Sequence, residues 1–341
     1  MKARIWMAVI TIAALISAPL SHAADDKIGI FESLLESSQS FSETTEALES
    51  ALAGSSFKLH GTHDVRVPDD KHQAKIYVLT SPTYTDLAAA ESPRTISAQI
   101  LRIAVFTQGD EQTTYVNMAN PVAHAMVFYA KSDNYDALLA AARDVAAEIR
   151  KVVTTVPGNP LNEQRKPLRK EKHYRKFKGD GPARMMAKFR TFMKSQLPID
   201  VANGQDFDAT VEAVIAALKA GTVSDASDST GWETIAEVRL RDDAAYVGIT
   251  NPYIEDKMIR INSRFRGDSK SDLSPFPGVD HVTALPTEVL IVREGDEILV
   301  LHYGQMWRMQ LYFWDSGYRA FTANVGVPGK IAGSIAAAIE P

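Results

Sequence analysis

The chain has 341 residues, 37 basic and 42 acidic, a formal net charge of −5 and no cysteine. Without cysteine there are no disulfides, no thiol catalysis, no covalent c-type haem and no lipidated N-terminal cysteine. The length suits two ordinary domains, and the mild acidity is that of a soluble protein rather than of a nucleic-acid binder.

Lys2 and Arg4, the uncharged apolar run Ile5 to Leu20 and Ser21-His22-Ala23 read as a cleavable export signal, residues 1–23. No later run is long and apolar enough to be a membrane span. The expected location is the periplasm, with cleavage after Ala23 and a mature charge of −7 once Lys2 and Arg4 are gone. Residues 24–39 read as a polar lead-in with a weak helical pattern. Ser40 to Leu52 follows as a helix, with cap chemistry at Ser42 and a stop at Gly54. Ala74 to Thr80 is a strand, ended by Ser81-Pro82. Leu101 to Val116 is a hairpin turning at Gly109-Asp110, because Gly tolerates the positive φ of a tight turn. Asn120-Pro121 breaks the second strand. Tyr135 to Val153 is a helix with Leu138, Leu139, Ala142, Val145, Ala146, Ile149 and Val152 on one face.

Residues 156–205 differ in kind. Arg165 to Lys194 holds twelve Lys/Arg against Glu171 and Asp180. Its first half reads as an exposed connector. Its second half reads as an amphipathic helix from Pro182 to Leu197, with Met185, Met186, Phe189, Phe192 and Met193 on one side. Arg184, Lys188, Arg190 and Lys194 lie on or beside the other side, where they could meet an anionic membrane surface. Nucleic acid is excluded by compartment.

From Asp206 the plan repeats. Ser40 to Leu52 lines up with Asp206 to Leu218, Tyr77 to Tyr84 with Tyr246 to Tyr253 at an offset of 169, and the hairpin with Val289 to His302 at an offset of 186. Gly329 to Ile339 closes the chain as the counterpart of Tyr135 to Val153. Helix, strand and hairpin in the same order twice point to an internal duplication, with repeats at 40–155 and 206–341.

The punctuation of each repeat resembles the bacterial domain-of-unknown-function family 302. The first repeat carries Asp64, Thr80-Ser81-Pro82, Leu101 to Phe106, Gly109, Tyr115-Val116-Asn117 and Asn120-Pro121. The second carries Thr250-Asn251-Pro252, Leu285-Pro286, Val289 to Val292, Gly295 and His302-Tyr303, with Gly304-Gln305-Met306-Trp307 where the pattern has Asn-x-Pro. The resemblance implies an α+β fold of two related two-layer sandwich units, helices on mostly antiparallel sheets, joined as an internal pseudo-dimer.

No GxSxG, HExxH, P-loop or GxGxxG is present. No residue is singled out as nucleophile or base, and no cofactor is implied. Asn117, Asn120 and Asn251 at strand ends, with Tyr253, Tyr303 and Trp307, are ligand-binding candidates, against turn and core roles for the same residues. His302, Met306 and Met309 are soft-metal candidates for copper(I), against packing in a core; His124 and Met126 could add a similar pair. His60, His63 and His72 with Asp64, Asp69 and Asp70 form a weaker zinc candidate whose mixed spacing reads rather as a solvated loop. The expectation is an exported, non-catalytic binding or accessory protein, with metal handling and membrane-peripheral action as alternatives and a homo-oligomer left open.

Overall fold

The structure, a computed structural model, describes residues 27–69, 71–181, 191–199, 206–220, 231–266 and 277–340. Residues 1–23, expected from the sequence to be an export signal, lie outside them, as do Asp70, Arg184, Met185, Met186, Lys188, Phe189 and Arg190.

The first unit runs β1 (Ile28–Ser37), α1 (Phe41–Ala53), β2 (Lys58–Asp64), β3 (Ala74–Thr80), α2 (Pro82–Leu87), β4 (Leu101–Gln108), β5 (Thr113–Ala119), α3 (Pro121–Phe128), α4 (Tyr135–Val153) and β6 (Gly158–Arg169). Its antiparallel sheet has the order β2-β3-β4-β5-β1-β6. Two short helical turns, α5 (Glu171–Tyr174) and α6 (Phe192–Ser195), precede the second unit. That unit runs β7 (Gln196–Ile199), α7 (Phe207–Ala220), β8 (Glu233–Arg241), β9 (Ala244–Thr250), α8 (Pro252–Arg266), β10 (Thr287–Glu294), β11 (Glu297–Tyr303), α9 (Gln305–Phe313), α10 (Gly317–Ala323) and α11 (Val327–Ile339). Its sheet has the order β8-β9-β10-β11-β7. Taking β1 with β7, β2 with β8 and so on, the two sheets share one connectivity, and β6 is an addition at the first sheet's edge. The fold is α+β, two related units of helices on antiparallel sheets.

Pairing with the neighbouring strand fixes which residues correspond. Ala74 pairs with Phe106, and Ala244 with Val292, so β3 and β9 are related by an offset of 170, Thr80 to Thr250 and Pro82 to Pro252. The sequence alignment at 169 was out by one. Side chains alternate along a strand, so that slip interchanges the faces. Tyr77 therefore lies on the helix side, where its hydroxyl donates to Glu49 of α1, whereas Tyr246 belongs to the opposite face.

Both faces of β4 are buried. Leu101, Ile103 and Val105 share the helix-covered face with Tyr77, while Arg102, Ala104 and Phe106 face the second unit. In the second sheet Val289, Ile291 and Arg293 take the helix side, Arg293 lying over the Phe207 ring of α7. The junction faces are thus sheet against sheet, with reciprocal inserts. A 3-10 turn of the first unit, Pro93–Gln99, packs on β9 and β10; one of the second, Val282–Ala284, packs on β3, β4 and β5.

Several sequence expectations are corrected. The lead-in is β1, paired between β5 and β6. Glu32 within it is fully buried because Arg150 of α4 clamps it through two nitrogens, at 2.5 and 2.8 Å, so a charged residue disguised a core strand. The connector is largely β6. The helix drawn through Leu197 ends at Ser195, and Leu197 lies in β7 opposite His302. Pro198 disfavours the helical conformation at the residue before it. Helix α1 is capped two residues earlier than Ser42, by Ser40 with Glu43 in a capping box. Gly295-Asp296 forms the expected two-residue turn, with Gly295 at φ +62°, but the first hairpin closes over four residues, from Gly109 (φ +80°) to Gln112. Helix α4 has the expected bounds, with Val153 rather than Val152 fully buried.

Edge strands β2 and β8 run close together, each with a bulge at the matching place, between Leu59 and Gly61 and between Thr234 and Ala236. A Cβ on Gly61 would overlap the carbonyl oxygen of Ile235. Gly61→Ala is expected to cost about 2–3 kcal/mol in urea unfolding, whereas Gly54→Ala, whose nearest neighbours are 3.7 Å away at a helix end, stays within about 0.5 kcal/mol. Equal effects at the two glycines would refute the close crossing.

Candidate functional site

The junction centres on charged side chains at corresponding positions. Arg102 in β4 and Glu288 in β10 are related by the offset of 186 that relates the strands themselves. His124 in α3 and Arg308 in α9 correspond likewise, each the fourth residue of the helix that follows the hairpin. All four are buried, Arg102 and Glu288 to 1% exposure.

Arg102 Nη1 lies 3.4 Å from Glu288 Oε1 and donates to the carbonyl of Ala284 at 3.3 Å. Its Nη2 donates to Tyr312 Oη at 2.9 Å and to His124 Nε2 at 3.1 Å. His124 Nε2 is thus an acceptor, which makes the ring neutral with its proton on Nδ1. Arg308 Nε sits 2.7 Å from Glu288 Oε2, and its Nη2 donates to the carbonyls of Ala284 (2.6 Å) and Pro286 (3.1 Å). Burial, with Arg102 and Arg308 adding to it, drives the His124 pKa well below the usual imidazole value. Burial opposes the charge on Arg102, but its interactions with Tyr312, Glu288 and Tyr246 outweigh this and raise its pKa above the usual guanidinium value. Two guanidiniums thus share one carboxylate, and backbone carbonyls, Tyr312, His124 and Thr287 take up most of their other donors.

Further cross-unit ties surround the centre. Glu255 of α8, fully buried, accepts from the Arg66 backbone N–H at 2.8 Å and from Thr250 Oγ1 at 2.8 Å, and lies 2.7 Å from His63 Nε2. Burial would raise its pKa; His63, Arg66 and Thr250 together hold it below the usual carboxylate value. Arg94 grips Glu294 through two hydrogen bonds of 2.7 Å.

The residues singled out in the sequence mostly serve this framework. Asn117 Nδ2 donates to the Asp280 carbonyl at 2.6 Å, across the junction. Asn120 Oδ1 caps α3 through Val122 N–H, and Asn251 Oδ1 accepts from Ile254 N–H at the start of α8. Tyr303 donates to Ser97 Oγ and stacks on Trp307 with ring centroids 5.6 Å apart, while Phe128 of the first unit packs against both. Tyr253 is half-buried, with Lys257 Nζ 5.3 Å from its ring centre. The loop histidines disperse: His60 meets Thr80, His63 meets Glu255, and His72 meets Asp69 and the Gly109 carbonyl. His302 is buried on β11, and burial lowers its pKa. Met309 lines a cleft that neither His302 nor Met306 lines. Among the described residues, no group of three or more His, Cys, Asp or Glu is placed to hold a metal ion.

That cleft lies in the second unit between α8, α9 and α11. Ile254, Met258, Ile261, Met309, Phe313 and Ile331 make it apolar, and Lys257, Gln305 and Arg308 supply polar groups. It holds about 60 Å³, well under the ~300–1,000 Å³ of pockets that enclose a drug-sized ligand. Sequence periodicity could not find it, because α8 extends nine residues beyond the length of its counterpart α2.

No family model matches the chain, and no curated protein matches it. Among solved structures, the chain is similar to an uncharacterized conserved protein, DUF302, from Bacillus stearothermophilus, at 17% identity over 37% of this chain and 96% of that one, with a TM-score of 0.31.

Two predictions test the junction. Glu288→Gln leaves both guanidiniums without a counter-charge and should cost about 3–5 kcal/mol in equilibrium unfolding. In a cycle with Arg102→Met, the coupling should be about 1–3 kcal/mol; strict additivity would show that the pair does not interact. The second concerns pH. Unfolded His124 takes a proton below about pH 6.5 that the folded state refuses, so stability falls as pH drops through that value, by up to about 1.4 kcal/mol per pH unit from this residue. His124→Gln should lack that share of the slope, and identical pH profiles of the two proteins would contradict a neutral buried ring.

Proposed function

We propose that this is an exported, non-catalytic binding protein that arose by duplication of one α+β module resembling family 302, and that its ligand is a small aliphatic carboxylate held in the α8–α9–α11 cleft. The shared strand order supports duplication. The location rests on the Lys2 to Ala23 pattern.

The cleft carries the ligand reading. An apolar concavity with a few convergent polar groups is the usual form of a small-molecule site. Lys257 is the cation at its rim, while Arg308 is already engaged by Glu288 and two carbonyls. An acyl chain would lie along Met258, Ile261 and Phe313 with its carboxylate at Lys257. Asn117, Asn120, Asn251, Tyr303 and Trp307, which the sequence offers as ligand contacts together with Tyr253, are engaged as caps, ties and core, and Tyr253 lies outside the cleft lining, which favours the cleft over the junction.

Calorimetric titration with octanoate tests this. Saturable binding is expected, weakened about tenfold by Lys257→Met and abolished by Met309→Trp, which fills the cleft. Absence of binding, or binding unchanged in Met309→Trp, would remove the reading.

A further inference from the structure

We infer that the exposed face shared by α8 and α10 docks on an anionic lipid bilayer. Helix α8 presents Lys257, Arg260 and Arg264 at spacings of three and four, which places them along one side of the helix. Helix α10 packs beside it and presents Arg319. Against these four cations stands Asp256, which pairs with Arg260 at 2.5 Å. The face is cationic on a chain whose net charge is −5.

Two further features favour a bilayer over a soluble polyanion. Between the helices lies an open groove of about 480 Å³, with the cations above and Ile261 and Phe265 contributing apolar surface. Beside it Tyr318, 62% exposed, and Val325, 48% exposed, project from the surface, Tyr318 stacking on Phe321. Tyrosine with an apolar neighbour suits the depth of lipid headgroups, and arginine stems lie on apolar surface while their charges reach phosphate. A free polyanion would use the cations and leave Tyr318 and Val325 without a role.

The test uses the full mature chain and co-sedimentation with phosphatidylcholine vesicles with and without 30% phosphatidylglycerol, a composition of our choosing. Binding is expected only with the anionic lipid, is lost in high salt, and is not displaced by glycerol phosphate. Arg264→Glu with Arg319→Glu should weaken it at least about twentyfold, since each near-surface charge is worth roughly fivefold. Tyr318→Ser should weaken it severalfold. All three side chains are exposed, so the melting temperature should not move, and octanoate binding should also persist. Absence of binding to anionic vesicles overturns the proposal, as does displacement by glycerol phosphate. Binding that ignores the α8–α10 variants and is lost on Arg184→Glu with Lys188→Glu also overturns it, because that result assigns the contact to the basic segment.

Discussion

Everything about the junction depends on an ion pair between corresponding positions. In a symmetric dimer, a residue near the twofold axis meets its own copy, so a charge there meets a like charge. Arg102 and Glu288 stand at such positions and carry opposite charges. Only two units with different sequences can do this. With arginine in one unit and glutamate in the other, each unit is matched to the other and mismatched to itself. In a buried setting that mismatch is severe, because an unpaired charge there is costly.

The same asymmetry recurs outward from the centre. His124 and Arg308 correspond, yet one is a neutral acceptor and the other a cation. Arg66, just beyond β2, ties the first unit to Glu255 of α8, whereas Arg241, at the end of β8, donates to the Glu91 carbonyl beyond α2. The two units share a strand order, and the side chains that cross between them differ. Asn117 and Tyr303 hold the units together, while Asn120 and Asn251 cap helices within their own units. The second unit's longer α8 forms one wall of its cleft.

Local signals in the sequence were legible where one physical cause dominated. The period of α4, the glycine turns and the β4–β5 and β10–β11 hairpins could all be read directly. Strand β1 could not, because its buried glutamate is neutralised by an arginine more than a hundred residues away. Strand β6 was hidden by its charges, since an edge strand with an exposed face needs few apolar residues. The match between Tyr77 and Tyr246 was chemically attractive and one residue out, and only strand pairing reveals the correct frame. The charge cluster was invisible for a related reason: its members are ordinary residues, and their meaning comes from correspondence across the pseudo-axis.

The meeting of β2 with β8 bears on growth of the assembly. A module that dimerises through sheets and leaves strand edges open can recruit further copies, edge to edge. Here β2 and β8 shield one another at Gly61 and Ile235. The outermost strands on the far sides, β6 and β7, contain Pro160, Pro167 and Pro198, which lack the N–H a newcomer would need. Among the described strands, the outer edges are therefore poorer templates for strand addition than the sheet interiors, and growth edge to edge is disfavoured.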